Sequence, residues 1–167
     1  MTSTGKNARN NPMKTHTFLF REGLWSVEGV YFDDRGRPIA LEGKTRVTHL
    51  PRLWVNEGAM ELKSGEVPIV VHNRYEVTPF EEGRSTTSWK SSNPAVGELN
   101  GSFILVDDAI LSVCRSGDGL FGGSEFMLRV NDEQYLSRGA FLRENERLSS
   151  WSVTLRKIKD GPFPESV

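Results

Sequence analysis

The sequence predicts an all-β fold, an antiparallel meander closing into a barrel of about eight to ten strands. Three observations predict it. Short segments of alternating apolar and polar residues follow one another from Trp25 to Ile158. Turn residues separate them at roughly 8–12-residue intervals, the spacing of a sandwich or a barrel. No segment supplies the crossover helices that a parallel sheet needs. Between sandwich and barrel, the even spacing and the lack of long crossings favour the barrel, whose closure removes exposed edges.

The elements follow in order. Residues up to 16 read as a flexible tail rich in Asn, Thr and Lys. Thr17 to Phe20 is a short turn or lead-in across one barrel end. From Trp25 to Phe32, Trp25, Val27, Gly29 and Tyr31 share a face. Asp33-Asp34-Arg35-Gly36 is a hairpin turn, with Asp and Gly placed as turns need them. Pro38 to Glu42 and Thr45 to Leu50 read as two strands, and Pro51 ends the second. Leu53 to Leu62, Val67 to Val77 and Ser85 to Ser91 come next. Gly101 to Val106 and Ile110 to Arg115 flank the Asp107-Asp108 turn. Glu125 to Val130 pairs with Tyr135 to Leu142, and Ser150 to Ile158 is last. Residues 17–158 thus form one domain, and 159–167 a short tail with Pro162 and Pro164.

Composition narrows the function. The chain has 167 residues, with 21 Lys and Arg against 22 Asp and Glu. No basic excess drives phosphate binding, so no nucleic-acid partner is expected. Apolar residues make up 37%, a low share that suits a thin barrel wall facing water or a polar lumen. Cys114 is the single cysteine, so no internal disulfide forms. That points to a reducing compartment, and a cytoplasmic location is expected. The N-terminal residues lack the apolar core of a signal peptide. No run approaches the roughly 18 apolar residues of a membrane helix.

Gly23-Leu24-Trp25 at the start and Arg156 on the closing strand resemble the calycin group, the lipocalin-like and fatty-acid-binding-like barrels. The resemblance spans about Gly23 to Ile158. It implies a calycin-like barrel in which Arg156 lies over Trp25 and shuts the base. It also implies binding of a small hydrophobic molecule, with isomerisation or cyclisation in a minority of members.

Residue patterns suggest where such a ligand sits. His72, Arg74 and Glu76 share one side of their strand, and Asn73, Tyr75 and Val77 share the other. Two readings stay open. If the first side faces the lumen, His72 and Arg74 form a polar ladder, and His72 can exchange a proton near neutrality. If it faces water, Asn73 and Tyr75 point inward. His72, Arg74 and Tyr75 are the candidate catalytic set. Trp89, Phe103, Phe126 and Phe141 are the candidate wall of the cavity. Arg138, flanked by Leu136, Ala140 and Leu142, joins Asn73 and Glu125 as a candidate ligand contact; Arg138 and Glu125 read as a substrate clamp, a buried ion pair or an ordinary surface pair.

No cofactor is expected. The three histidines, His16, His49 and His72, lack metal-site spacing. The glycine-rich Gly117 to Gly123 lacks the ending of a phosphate loop. The functional expectation is a barrel binding a small, largely apolar or amphipathic molecule. The alternative is a cofactor-free cyclase, isomerase or dehydratase working in the same cavity. A filled barrel with a purely structural role is a third possibility.

Overall fold

Alternation and turn chemistry resolve into ten strands among the described residues, 15–163 of a computed structural model. They are β1 (Gly23–Phe32), β2 (Pro38–Leu50), β3 (Leu53–Leu62), β4 (Ile69–Val77) and β5 (Thr86–Asn93), followed by β6 (Gly97–Val106), β7 (Ala109–Ser116), β8 (Phe121–Asn131), β9 (Gln134–Arg143) and β10 (Glu146–Ile158). Every strand pairs antiparallel with its sequence neighbours, and β1 also pairs with β10 from Leu24↔Ile158 to Phe32↔Ser150. The sheet is therefore a closed barrel with all-meander topology. The two segments expected between Pro38 and Leu50 are one continuous strand.

Period-two alternation decides what fills the interior. Odd-numbered residues of β1, β4, β5, β6, β8, β9 and β10 point inward. At the lower end, Trp25, Tyr135, Ile110 and Val77 are fully buried and form a solid floor. Trp25 packs edge-on against Phe18 at 5.3 Å and against Tyr135 at 5.8 Å. Each such aromatic contact adds roughly 0.5–1.5 kcal/mol beyond area burial.

The lead-in seals this floor from below. His16, Thr17, Phe18 and Leu19 are buried, so the expected tail boundary at residue 16 falls inside the plug. The main-chain N–H of Arg21 donates to the Thr17 carbonyl at 2.9 Å, closing one helical turn. The Tyr135 hydroxyl accepts from the Thr17 N–H at 2.9 Å and lies 3.2 Å from His16 Nδ1. His16 Nε2 lies 3.1 Å from the Asp107 carbonyl, which can only accept. His16 thus carries its proton on Nε2, and Nδ1 accepts from Tyr135. Burial holds His16 below the usual histidine range, so the plug is built around a neutral ring.

The base is not closed by Arg156. Arg156 lies on the outer face of β10, beside Glu28 at 3.9 Å, while Leu155 points inward. The aromatic floor and the lead-in do the sealing that the calycin resemblance assigned to Arg156. Beyond β10, Arg46 donates to the Gly161 carbonyl at 3.0 Å and lies over the Phe163 ring.

The upper half is looser. β4 and β5 pair only at Tyr75↔Ser91, Glu76↔Lys90 and Val77↔Trp89. Above these rungs the two strands part, and Ile69, Val70 and Val71 stay exposed beside the opening. No described helix is long and apolar enough to cross a membrane.

Candidate functional site

Above the aromatic floor the barrel holds a cavity of about 360 Å³. That lies within the range of small-molecule sites, roughly 300–1,000 Å³. Its lining is mainly apolar, with Val27, Met60, Leu99, Phe103, Met127 and Phe141 among the walls. Polar groups enter it from β2, β3, β4, β7 and β8, among them Thr45, Asn56, Asn73, Tyr75, Ser112 and Glu125.

Glu125 is the chemical centre of this cavity. It sits on β8 with odd parity, so its carboxyl turns inward. Its Oε1 accepts from Ser137 Oγ at 2.5 Å and from Trp151 Nε1 at 3.0 Å. Its Oε2 has no hydrogen-bond partner among the described residues. Burial pushes the Glu125 carboxyl above the usual carboxylate range, against the opposing pull of the Ser137 and Trp151 bonds. A carboxyl raised in this way keeps its proton to higher pH than an exposed one.

The indole that holds Glu125 is itself held. Gly139 on β9 pairs with Trp151 on β10, and the Trp151 ring lies flat on it. A Cβ at residue 139 would stand 2.2 Å from a ring carbon of Trp151. Only glycine leaves room for that ring against the wall.

Tyr75 faces the same cavity from β4 and packs edge-on against Trp89 at 4.9 Å. Its hydroxyl has no hydrogen-bond partner among the described residues. Burial pushes the phenol far above its usual range, with smaller upward contributions from its neighbours Glu125 and Cys114. Asn73 Oδ1 is likewise buried without a partner. Across the lumen, Thr45 Oγ1 donates to Asn56 Oδ1 at 2.5 Å. Burial also raises the Cys114 thiol, which keeps it protonated rather than nucleophilic.

The structure separates the residues selected from the sequence. Asn73, Tyr75, Phe103, Glu125 and Phe141 line the cavity. Trp89 is buried just below it, against Tyr75 and Phe103. Arg74 is on the outer face, paired with Glu57 at 3.0 Å and Glu76 at 3.6 Å. His72 is exposed on that same face and meets the cavity only at its rim, where β4 leaves β5. The ladder of His72 and Arg74 is thus the solvated side of the strand.

Phe126 and Arg138 also need correction. Phe126 lies opposite Arg138 on the outside of the barrel and is 42% exposed. Arg138 donates to the carbonyls of Ser137 at 2.7 Å and Val153 at 3.3 Å, and makes no pair with Glu125. The wall lies between them: residue 125 points in and residue 138 points out. The apolar neighbours of Arg138 belong to an apolar outer face. Ser137, Trp151, Asn56 and Met60 were not selected from the sequence. Trp151 carried a signal, since a Trp paired with a Gly across two strands marks a ring laid flat.

No family model and no curated protein matches the chain. Solved structures do. The S-type phycobiliprotein lyase CPES from Guillardia theta superposes with a TM-score of 0.62 at 8% identity, covering 90% of this chain and 97% of that one. A putative AttH from Nitrosomonas europaea gives a TM-score of 0.32 at 12% identity, covering 92% of this chain and 55% of that one. An N-terminal dehydratase from the difficidin assembly line gives 0.26 at 8% identity, covering 85% and 80%. The first likeness is one of fold alone: the closed barrel of this chain superposes on that structure over most of both chains. The other two overlaps are too poor to bear on it.

Proposed function

We propose that this protein binds a small, largely apolar molecule in the upper half of its barrel, with Glu125 as the polar anchor. One observation carries the reading: a mainly apolar cavity of about 360 Å³ encloses a carboxyl with one unpartnered oxygen. Apolar walls supply affinity, and a few placed polar groups supply orientation. Phe103 and Phe141 contribute wall surface. Tyr75 and Asn73 contribute polar contacts. The fold shared with a protein named as a phycobiliprotein lyase supports a barrel of this shape as a working container.

A second reading is favoured by Glu125 itself. A buried carboxyl kept towards its acid form, facing an apolar lumen, suits cofactor-free proton transfer. In that reading the reaction is a cyclisation, isomerisation or dehydration, and Glu125 takes the place first given to His72. Holding a flexible chain in one reactive shape supplies part of the rate before any proton moves.

The test is a metabolite-library screen by native mass spectrometry, followed by incubation of each binder and mass analysis of the products. Retention of an apolar binder that Glu125→Ala weakens supports the binding reading. Conversion of that binder, lost in Glu125→Ala, supports the catalytic one. Failure of every apolar compound to bind contradicts both.

A further inference from the structure

We infer that the outer face of β6 to β9 is an interface, covered by a second copy of this chain in a two-fold dimer.

The strand register lays three outward rows side by side on this wall. One runs Ile104, Leu111, Phe126 and Arg138. The next, towards the floor, runs Val106, Ala109, Leu128 and Leu136. The third runs Ser102, Val113, Ser124 and Ala140. An antiparallel wall facing water ordinarily turns polar residues outward. Here most outward positions are apolar, and Arg138 is the single charge among them. Phe126 is 42% exposed and Val113 41%. The opposite wall is charged instead, with Glu42, Glu57, Glu61 and Arg74 on the outside of β2 to β4.

Four strands at about 4.8 Å and three rows at about 6.8 Å make a face of roughly 400 Å². That is about half of the ~800 Å² that each partner gives up in a standard interface. Ser150, Ser152 and Thr154 border it on β10 and supply a polar rim around the apolar centre.

The face suits a copy of itself. Homodimer interfaces are the more apolar class, and a two-fold contact must be self-complementary. Arg138 and Phe126 are direct neighbours on β9 and β8. Nη1 of Arg138 is held on the Ser137 and Val153 carbonyls, and the guanidinium has no carboxylate partner among the described residues. A two-fold axis between these two residues lays each guanidinium over Phe126 of the partner subunit, a cation–π pair made twice. A strongly charged partner would find one counter-charge on the whole face.

Sedimentation equilibrium of the full chain across micromolar concentrations tests this. The native chain should dimerise. Phe126→Asp should weaken self-association by about thirtyfold or more, the scale of a central aromatic anchor. Val113→Lys places a charge in the same face from β7 and should act likewise, so the test survives misfolding of Phe126→Asp. Arg138→Ala should weaken association about tenfold, and should add nothing when Phe126 is already alanine. Glu61→Lys, on the charged wall, should leave it unchanged. Circular dichroism should show native β structure in each variant scored. A native chain that stays monomeric overturns the dimer, whether or not it binds lipid vesicles or another protein. So does a dimer that persists unweakened in folded Phe126→Asp and Val113→Lys.

Discussion

The indole N–H of Trp151 donates to Oε1 of Glu125 at 3.0 Å, and the Trp151 ring can lie where it does only because residue 139 is glycine. The orientation of the cavity carboxyl thus depends on the glycine that pairs with Glu125 on the adjacent strand. A Cβ on residue 139 would also crowd the Ser124 carbonyl at 2.9 Å.

Gly139→Ala should therefore act on the site as well as on the fold. Overpacking of this kind costs roughly 1–3 kcal/mol. Urea unfolding should show that loss. The tryptophan emission of the folded variant should shift as Trp151 leaves the wall. A variant of unchanged stability and unchanged emission would contradict the packing described.

Two buried groups should give stability opposite pH slopes. Glu125 has its folded-state pKa raised above an unfolded value of about 4.3, so its contribution is fully present below that pH. It is lost as pH rises through the raised folded value. Glu125→Gln should remove this term and flatten the fall of stability above about pH 4.3. His16 has its folded-state pKa lowered below about 6.5. Its contribution is present above that pH and is lost as pH falls through the lowered folded value. His16→Ala should remove that acid sensitivity and cost about 1–3 kcal/mol at pH 8, because Tyr135 and Asp107 lose their partner. Urea midpoints of both variants across pH 4 to 9, about the range bracketing these ordinary values, check the two signs.

Phe103 and Phe126 should behave as opposites despite similar settings in the sequence. Phe103 is buried at the cavity wall, and Phe103→Ala should cost about 3–5 kcal/mol and weaken ligand. Phe126 lies outside, so Phe126→Ala should leave ligand affinity unchanged. Titration of one apolar ligand against both variants checks this. Loss of affinity in Phe126→Ala would contradict the inward and outward assignment.

Trp25 should couple to Tyr135 and not to Arg156. The Trp25 and Tyr135 rings stand 5.8 Å apart in the floor. Arg156 is across the wall, with Glu28. Double-mutant cycles in urea should give a coupling of roughly 0.5–1.5 kcal/mol for Trp25 with Tyr135. The Trp25–Arg156 cycle should be additive within about 0.5 kcal/mol.

Much of the barrel was legible because alternation and turn chemistry are local. The Asp33-to-Gly36 turn and the Asp107-Asp108 turn both stand where the sequence marks them. Gly43 shows the limit. Beside Lys44 it reads as a break between two strands. In the barrel it lies mid-strand, where a Cβ would meet the Ala59 carbonyl at 2.3 Å. It marks close approach of two curved strands, which only tertiary structure reveals.

The site was legible in part for a different reason. Alternation says which residues share a face and is silent on which face is inside. On β4 both faces are mixed, so His72 with Arg74 and Asn73 with Tyr75 are equivalent by pattern. On β9 the outer face is apolar at Leu136, Ala140 and Leu142, and this made Arg138 look interior. Glu125 was selected as a ligand contact, but with Arg138 as its partner. Its actual partners, Ser137 and Trp151, depend on the register of β8, β9 and β10.

The central claim is an occupiable cavity above the aromatic floor, and the most direct measurement fills it. Ser112 is buried on the cavity wall and is not needed by the floor. An environment-sensitive naphthalene fluorophore should bind the native protein saturably at one site, with a blue-shifted emission. Ser112→Phe should abolish that binding while circular dichroism still shows the native β structure. Binding that is unsaturable, or that persists unchanged in folded Ser112→Phe, would contradict the account.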